Sequence, residues 1–151
     1  MARVYLKGLP ELKAKLVRLK EGTAAPVREA MARAAQMIVD MMKRHVAVDE
    51  GDLRDSIGWT FGDKPKYAQA VTTARFGDTR VTIYAGSSKV RYAHLVEFGT
   101  RGHPQGGMFE GTSHPGTRPQ PFFFTSYRAL RSEARKLIRA AIRDAVREAV
   151  R

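Results

Sequence analysis

Hydrophobic positions recur along this chain with two different periods. Leu9, Leu12, Leu16 and Leu19 return every three or four residues with lysines between them, the spacing of one helix face. Pro10 suits the first turn of that helix. Glu21-Gly22 is expected to break it, with Thr23 as the N-cap of the next. From Pro26 to about His45 a second stripe runs through Val27, Ala30, Met31, Ala34, Ile38, Met41 and Met42, with Arg28, Arg33, Lys43 and Arg44 largely on the other side. Its methionines would suit a soft binding groove, but at helical spacing they read as core. Ahead of both helices, residues 3–7 (RVYLK) alternate charged and apolar and predict a short edge strand ended by Gly8.

The period then drops to two. Ile57, Trp59 and Phe61 alternate as one face of a strand. The stretches Ala68 to Phe76 and Thr79 to Ala85 flank Gly77-Asp78, a turn pair that predicts a hairpin. In its second arm Val81, Ile83 and Ala85 point one way and Arg80, Thr82 and Tyr84 the other. Gly86-Ser87-Ser88 leaves the sheet, and Tyr92 to Phe98 predicts a two-turn helix stopped by Gly99. A Gly/Pro-rich loop follows, at about 99–121. Pro121 is placed to open a final helix, along which Leu130, Ala134, Leu137, Ile138, Ala141, Ile142, Ala145, Val146, Ala149 and Val150 form a broad apolar band. The expected architecture is α+β in one domain over residues 1–151: N-terminal helices, a small antiparallel sheet, a long extended loop and a long C-terminal helix.

At 151 residues and 43% hydrophobic content, the chain can bury a core without covalent staples. It has no cysteine, which excludes disulfides and thiolate chemistry and fits a reducing compartment. The N-terminus lacks a continuous apolar segment, and no apolar run reaches the ~18 residues a transmembrane helix needs. The expectation is a soluble protein without membrane contact.

Charge adds a direction. The net charge is +12, distributed as ten Lys/Arg against four acids over 1–48, nine against eight over 49–124, and eight against three over 125–151. The excess therefore sits in the segments read as helical. It suits acidic partners such as nucleic acid, or equally a solvated helix surface. Arg128, Arg131, Arg135, Arg139, Arg143 and Arg147 run beside the last apolar band, where they could face passing double-stranded DNA, shield the band with their stems, or pair with a neighbouring subunit. Tyr92, Trp59 and Tyr67 are the aromatic residues that could stack on bases. No helix–turn–helix, zinc finger or ribonucleoprotein motif accompanies them.

Catalytic chemistry is not indicated. Asp49, Glu50, Asp52 and Asp55 form the densest acidic cluster, but the spacing is not that of an EF-hand and no second cluster supplies further ligands. These acids read as turn residues, with Asp49 or Asp52 as a cap and Gly51 in an awkward dihedral. His103 and His114 each precede a proline in the loop, without cysteines to complete a common zinc site. His94 and Glu97 stand three apart as a surface or core-rim pair. Ser87, Ser88 and Lys89 lack any nucleophile-elbow or phosphate-loop setting. No cofactor and no metal are expected, and the protein is read as a non-enzyme.

Four segments taken in order carry a resemblance. VYLKGLPELKAKLVRL is similar to a strand, Gly-Leu and Leu-rich helix opening. KRHVAVDEGDLRDSI is similar to a helix end followed by Pro-Val-Asp-Thr-Gly-x-Leu-Arg-x-Ser-Ile, matched at Val48, Asp49, Gly51, Leu53, Arg54, Ser56 and Ile57, with Ala47 and Glu50 departing from it. YAHLVEFGTRG and RPQPFFFTSYRAL are similar to the signature Tyr-Ala-x-x-x-Glu-Phe-Gly-Thr and to its closing x-Pro-x-Pro-Phe-Leu-x-x-Ala segment. The chain resembles the minor head–tail joining, or tail-completion (neck), proteins of long-tailed phages, also found in prophages and phage-like particles. HPQGGMFEGTSH is an insertion relative to the shortest members.

The resemblance implies a virion structural protein, present in the host cytoplasm during assembly, that forms a homo-oligomeric ring of six or twelve copies at the head–tail interface. Its implied partners are head-side connector or stopper proteins and tail terminator or tail tube proteins. Within that frame the expected contacts to neighbouring subunits or rings are Glu97, Phe98, Gly99, Thr100 and Arg101 at the loop base, Met108 and Phe109 in the insertion, and Pro121, Phe122 and Phe123 at the return. The alternative is a basic, sequence-independent DNA-binding protein using the arginine helix.

Overall fold

A computed structural model describes residues 8–150, so the strand expected at 3–7 lies outside the described residues. Helix α1 runs from Leu9 to His45 and a single turn, α2, spans Asp52–Asp55. Strands β1 (Gly58–Phe61), β2 (Ala70–Phe76) and β3 (Thr79–Ala85) follow, then helix α3 (Ala93–Phe98). The loop contains the short strands β4 (His103–Pro104) and β5 (Ser113–His114), and helix α4 (Phe123–Val150) closes the chain. The architecture is α+β, with a long N-terminal helix, a small antiparallel sheet and a long C-terminal helix.

The principal departure from expectation is that α1 does not break at Glu21-Gly22. It is one helix of 37 residues, about 55 Å at 1.5 Å per residue. Thr23 does not cap a new helix: its hydroxyl donates back to the carbonyls of Leu19 (2.8 Å) and Lys20 (3.2 Å), the bonding a mid-helix threonine makes. Pro26 removes one helical hydrogen bond, at a cost of about 3 kcal/mol. Packing of the face through Thr23, Val27 and Ala30 offsets that cost, because these residues are buried along α4.

The two long helices run antiparallel. His45 Nδ1 lies 3.0 Å from the buried Ser126 Oγ at one end, and a Cβ on Gly22 would meet the Ala149 side chain at 3.6 Å at the other. Between these points most of the second stripe packs as read: Val27, Ala30, Met31, Ala34, Ile38 and Met42 are buried, joined by Ala35 and Val39, while Met41 is only half-buried. Across from them stand Val81, Ile83 and Ala85 of β3, Phe122 and Phe123, and Ala134 of α4. Met31 and Met42 are buried and fill space in this core.

The sheet has the order β1-β3-β2, antiparallel throughout. Phe76 pairs with Thr79 across Gly77-Asp78, so the hairpin turn falls where the sequence placed it. Gly77 takes φ +53 at the first central position, as a type II′ turn requires. Trp59 donates to Gln36 of α1 (2.8 Å) and packs edge-on against Phe61 at 5.3 Å. The Arg28 guanidinium lies 4.0 Å from the Phe61 ring centre. Both contacts hold β1 to α1, and Trp59 is thereby committed to the fold and not free to stack on a base.

Gly22 provides a test of the continuous helix. It has no positive φ and only an ordinary contact where a Cβ would stand. Gly22→Ala should therefore raise stability by roughly 0.5–1 kcal/mol, measured by urea unfolding. A loss of stability would mean that the chain turns at Gly22.

Candidate interaction surface

The loop is built from its base outward. Helix α3 ends where Gly99 donates to the Leu95 carbonyl at 2.8 Å. Gly99 has φ +73, and a Cβ there would stand 2.5 Å from the Thr117 carbonyl oxygen and 2.8 Å from Pro119 N. Only glycine lets the outgoing and returning strands approach this closely. Thr100 and Thr117 then exchange backbone hydrogen bonds of 3.0 and 3.1 Å, and their hydroxyls meet at 3.1 Å. Further out, β4 pairs with β5, the His103 and His114 rings stack at 5.4 Å, and Gln105 N donates to Thr112 O at 2.9 Å. The 99–121 loop is thus a short two-stranded arm. A 3₁₀ turn over Gly107–Phe109 forms its tip.

Glu97 locks the return. It is 3% exposed. Its Oε2 accepts the backbone N–H groups of Phe122 and Phe123, both at 2.8 Å, and its Oε1 accepts that of Phe124 at 3.0 Å. These N–H groups belong to the start of α4, where a helix has no internal acceptors to offer. A carboxylate there meets unpaired donors and the positive end of the helix dipole together. Gln120 N donates to the Val96 carbonyl at 2.8 Å alongside it. Glu97 therefore makes no pair with His94, which is exposed; the carboxylate turns inward to donors 25 residues away. Pro121 is also not the first helical residue. The helix begins at Phe123, because the cap comes from α3 rather than from the local sequence.

The residues expected at contacts divide into two groups. Glu97, Phe122 and Phe123 are interior and hold the arm from inside. Phe98, Arg101, Met108, Phe109 and Pro121 are exposed, while Gly99 and Thr100 are half-buried. Met108 is 95% and Phe109 61% exposed at the arm's tip. Phe98 lies on the surface at 6.0 Å from Phe124.

Beneath the arm, the chain leaving α1 forms a groove of about 650 Å³ with α3 and the loop base. Val48, Tyr92 and Leu95 give it exposed apolar surface, and Asp49 and Glu50 stand on its rim. The acids do not cap α2. Its N-cap position is Gly51, in the left-handed region at φ +93, with no side-chain cap. Nothing in the sequence marked Leu95 as surface, and Val48 stood out only as part of the VDEGDLRDSI segment; the fold sets both at a surface. Among the described residues no three His, Cys, Asp or Glu side chains converge as metal ligands would.

All six arginines of α4 are exposed. Arg147 lies 3.9 Å from Asp144, and Arg128 Nε donates to the Phe124 carbonyl. At about 100° per residue, steps of four drift forward by about 40°, so the row from Arg131 to Arg147 winds partway around the helix. The Arg91 guanidinium and the Lys66 ammonium lie 4.8 and 5.2 Å from the Tyr67 ring centre.

Loss of the Glu97 carboxylate should be felt as stability. Glu97→Gln places an amide donor against backbone donors and should cost about 2 kcal/mol, and Glu97→Ala more. Denaturant unfolding monitored by far-UV circular dichroism measures both, and an unchanged midpoint would refute the cap.

The profile of the family described as "Bacteriophage HK97-gp10, putative tail-component" matches residues 10–99, which run from the first turn of α1 through α3 to the glycine that opens the arm. No curated protein and no solved structure matches the chain. The matched span holds the VDEGDLRDSI segment and the YAHLVEFG signature, and it stops before the arm and α4. With more than half of its length matched, the chain belongs to the HK97-gp10-like family of phage tail components.

Proposed function

We propose that this chain is a non-enzymatic subunit of a homo-oligomeric ring at the head–tail junction, acting as one domain over 1–151 to join a DNA-filled head to a long tail. The observation that carries this reading is the arm. Its base is pinned by Glu97, Gly99 and the Thr100–Thr117 pair, while its tip leaves Met108 and Phe109 in water. A lone chain gains nothing from such a tip, and a neighbouring subunit or ring that buries it gains about 25 cal/mol per Å² of apolar surface. Phe98, Arg101, Met108, Phe109 and Pro121 are the contacts in this scheme, and Glu97, Phe122 and Phe123 keep the arm in position. The neighbours are a head-side connector or stopper and a tail terminator or tube protein, which places the chain at that interface in the virion.

Replacing Gly102 to Gly116 with two glycines leaves the Thr100–Thr117 pair closed. The shortened protein should keep its helical circular dichroism, while particles carrying it should appear by electron microscopy as filled heads and unjoined tails. Normal infectious particles would overturn the joining role, and a protein that fails to fold would make the arm structural instead.

The exposed arginines of α4 favour a second reading, sequence-independent binding of double-stranded DNA. Affinity should then fall steeply with salt, and each neutralised arginine that meets a phosphate should lower the slope by about 1. Salt-insensitive or sequence-selective binding in a filter or anisotropy titration would rule it out.

A further inference from the structure

Helix α1 outruns its partner. Gly22 lies opposite Ala149, and α4 ends at Val150. N-terminal to that point α1 continues from Leu9 to Glu21, about 20 Å of helix, exposed throughout except for a half-buried Leu19. Leu9, Leu12, Leu16 and Leu19 align on one side of this projection, with Leu12 54% and Leu16 57% exposed. At about 100° per residue, Lys13 and Lys20 flank the leucines on one side and Lys15 on the other. Glu11, Arg18 and Glu21 fall on the far face. None of the three lysines makes an ion pair among the described residues.

The groove under the arm is the complementary surface. Its apolar wall is Val48, Tyr92 and Leu95, its rim carries Asp49 and Glu50, and Arg118 is its one cationic lining residue. Neither acid has an ion-pair partner among the described residues. The groove starts just beyond His45, so about 45 Å of helix separates it from Leu16. A projection and a groove at opposite ends of one long helix cannot meet within one chain. They can meet between copies, in a head-to-tail contact that repeats and closes.

We propose that Leu9, Leu12 and Leu16 of one copy seat against Val48 and Leu95 of the next, with Lys13 and Lys15 facing Asp49 and Glu50. This contact presupposes the ring assembly proposed above and specifies which surfaces build it. Like charges at either end would oppose it, and the observed signs favour it.

The absence of cysteine from the chain allows a clean test on the full-length protein. Leu16→Cys and Val48→Cys variants, each alone, should form no disulfide dimer under mild oxidation. Their mixture should give a cross-linked dimer on a non-reducing gel, and the variant with both changes a ladder of multimers. Dimers from Leu16→Cys alone, with nothing added by mixing, would mean that projections pair with each other and would overturn the proposal. An uncross-linked mixture whose proteins still form rings by light scattering would overturn this contact and leave the ring standing. An uncross-linked, monomeric wild-type protein would remove both. Charge reversal gives an independent measurement. Lys13→Glu/Lys15→Glu or Asp49→Lys/Glu50→Lys should each weaken assembly at least tenfold, and combining the two sets in one chain should restore it. Failure of the combined variant to regain assembly while remaining folded would count against the pairing.

Discussion

A buried carboxylate needs donors, and around Glu97 the donors are the backbone N–H groups of Phe122, Phe123 and Phe124. That requirement organises much of the molecule. It brings together two segments 25 residues apart, fixing both ends of the arm between them. It also sets the point and direction from which α4 departs. Leaving from there, α4 passes Ser126 beside His45 and runs back along α1 to Gly22. The Phe122 and Phe123 rings, edge-to-face at 6.3 Å, fill the core under the same junction. An unmet charge in that position would cost several kcal/mol, so the three hydrogen bonds form as a set or the junction does not form.

The helix pair that follows is unequal. Among the described residues, α4 covers α1 only as far as Gly22, and α1 from Leu9 to Glu21 is largely exposed. Among the described residues, the apolar surface left exposed includes the α1 projection, the groove beyond His45 and the tip of the arm. Within a tail component, such surface is what assembly with other copies or neighbours would bury. The positive charge follows the same division. Lysines border the projection, acids border the groove, and the arginines of α4 wind along the outer side of the core helix pair.

Much of the fold was legible from local rules. The stripe from Val27 to Met42 kept its period because a buried face leaves little choice. The Gly77-Asp78 turn, the strand alternation at Val81, Ile83 and Ala85, and the stop at Gly99 each depend on near neighbours in the chain. The failures share a cause. Gly22, Thr23 and Pro26 read as a break because each is a weak helix residue, and contacts with α4, more than 100 residues later, outweighed that preference. Asp49 or Asp52 read as a cap and Glu97 as a surface or core-rim partner of His94, because short spacing suggests local pairing. The Glu97 carboxylate instead found distant donors, and α2 formed with no side-chain cap.

The sequence alone determined most of the helical stretches, the strand alternation and the hairpin turn, since these follow from side-chain period and backbone preference within a few residues, but not the continuity of α1 or the strands of the arm. It also carried the motifs that mark the family. The tertiary structure decided which faces stay uncovered. Whether Leu12, Leu16, Val48 and Leu95 are core or surface depends on how far α4 reaches and where the arm folds back, and no local pattern encodes the length of a partner helix. The apolar surface left exposed lies where the chain's own packing stops.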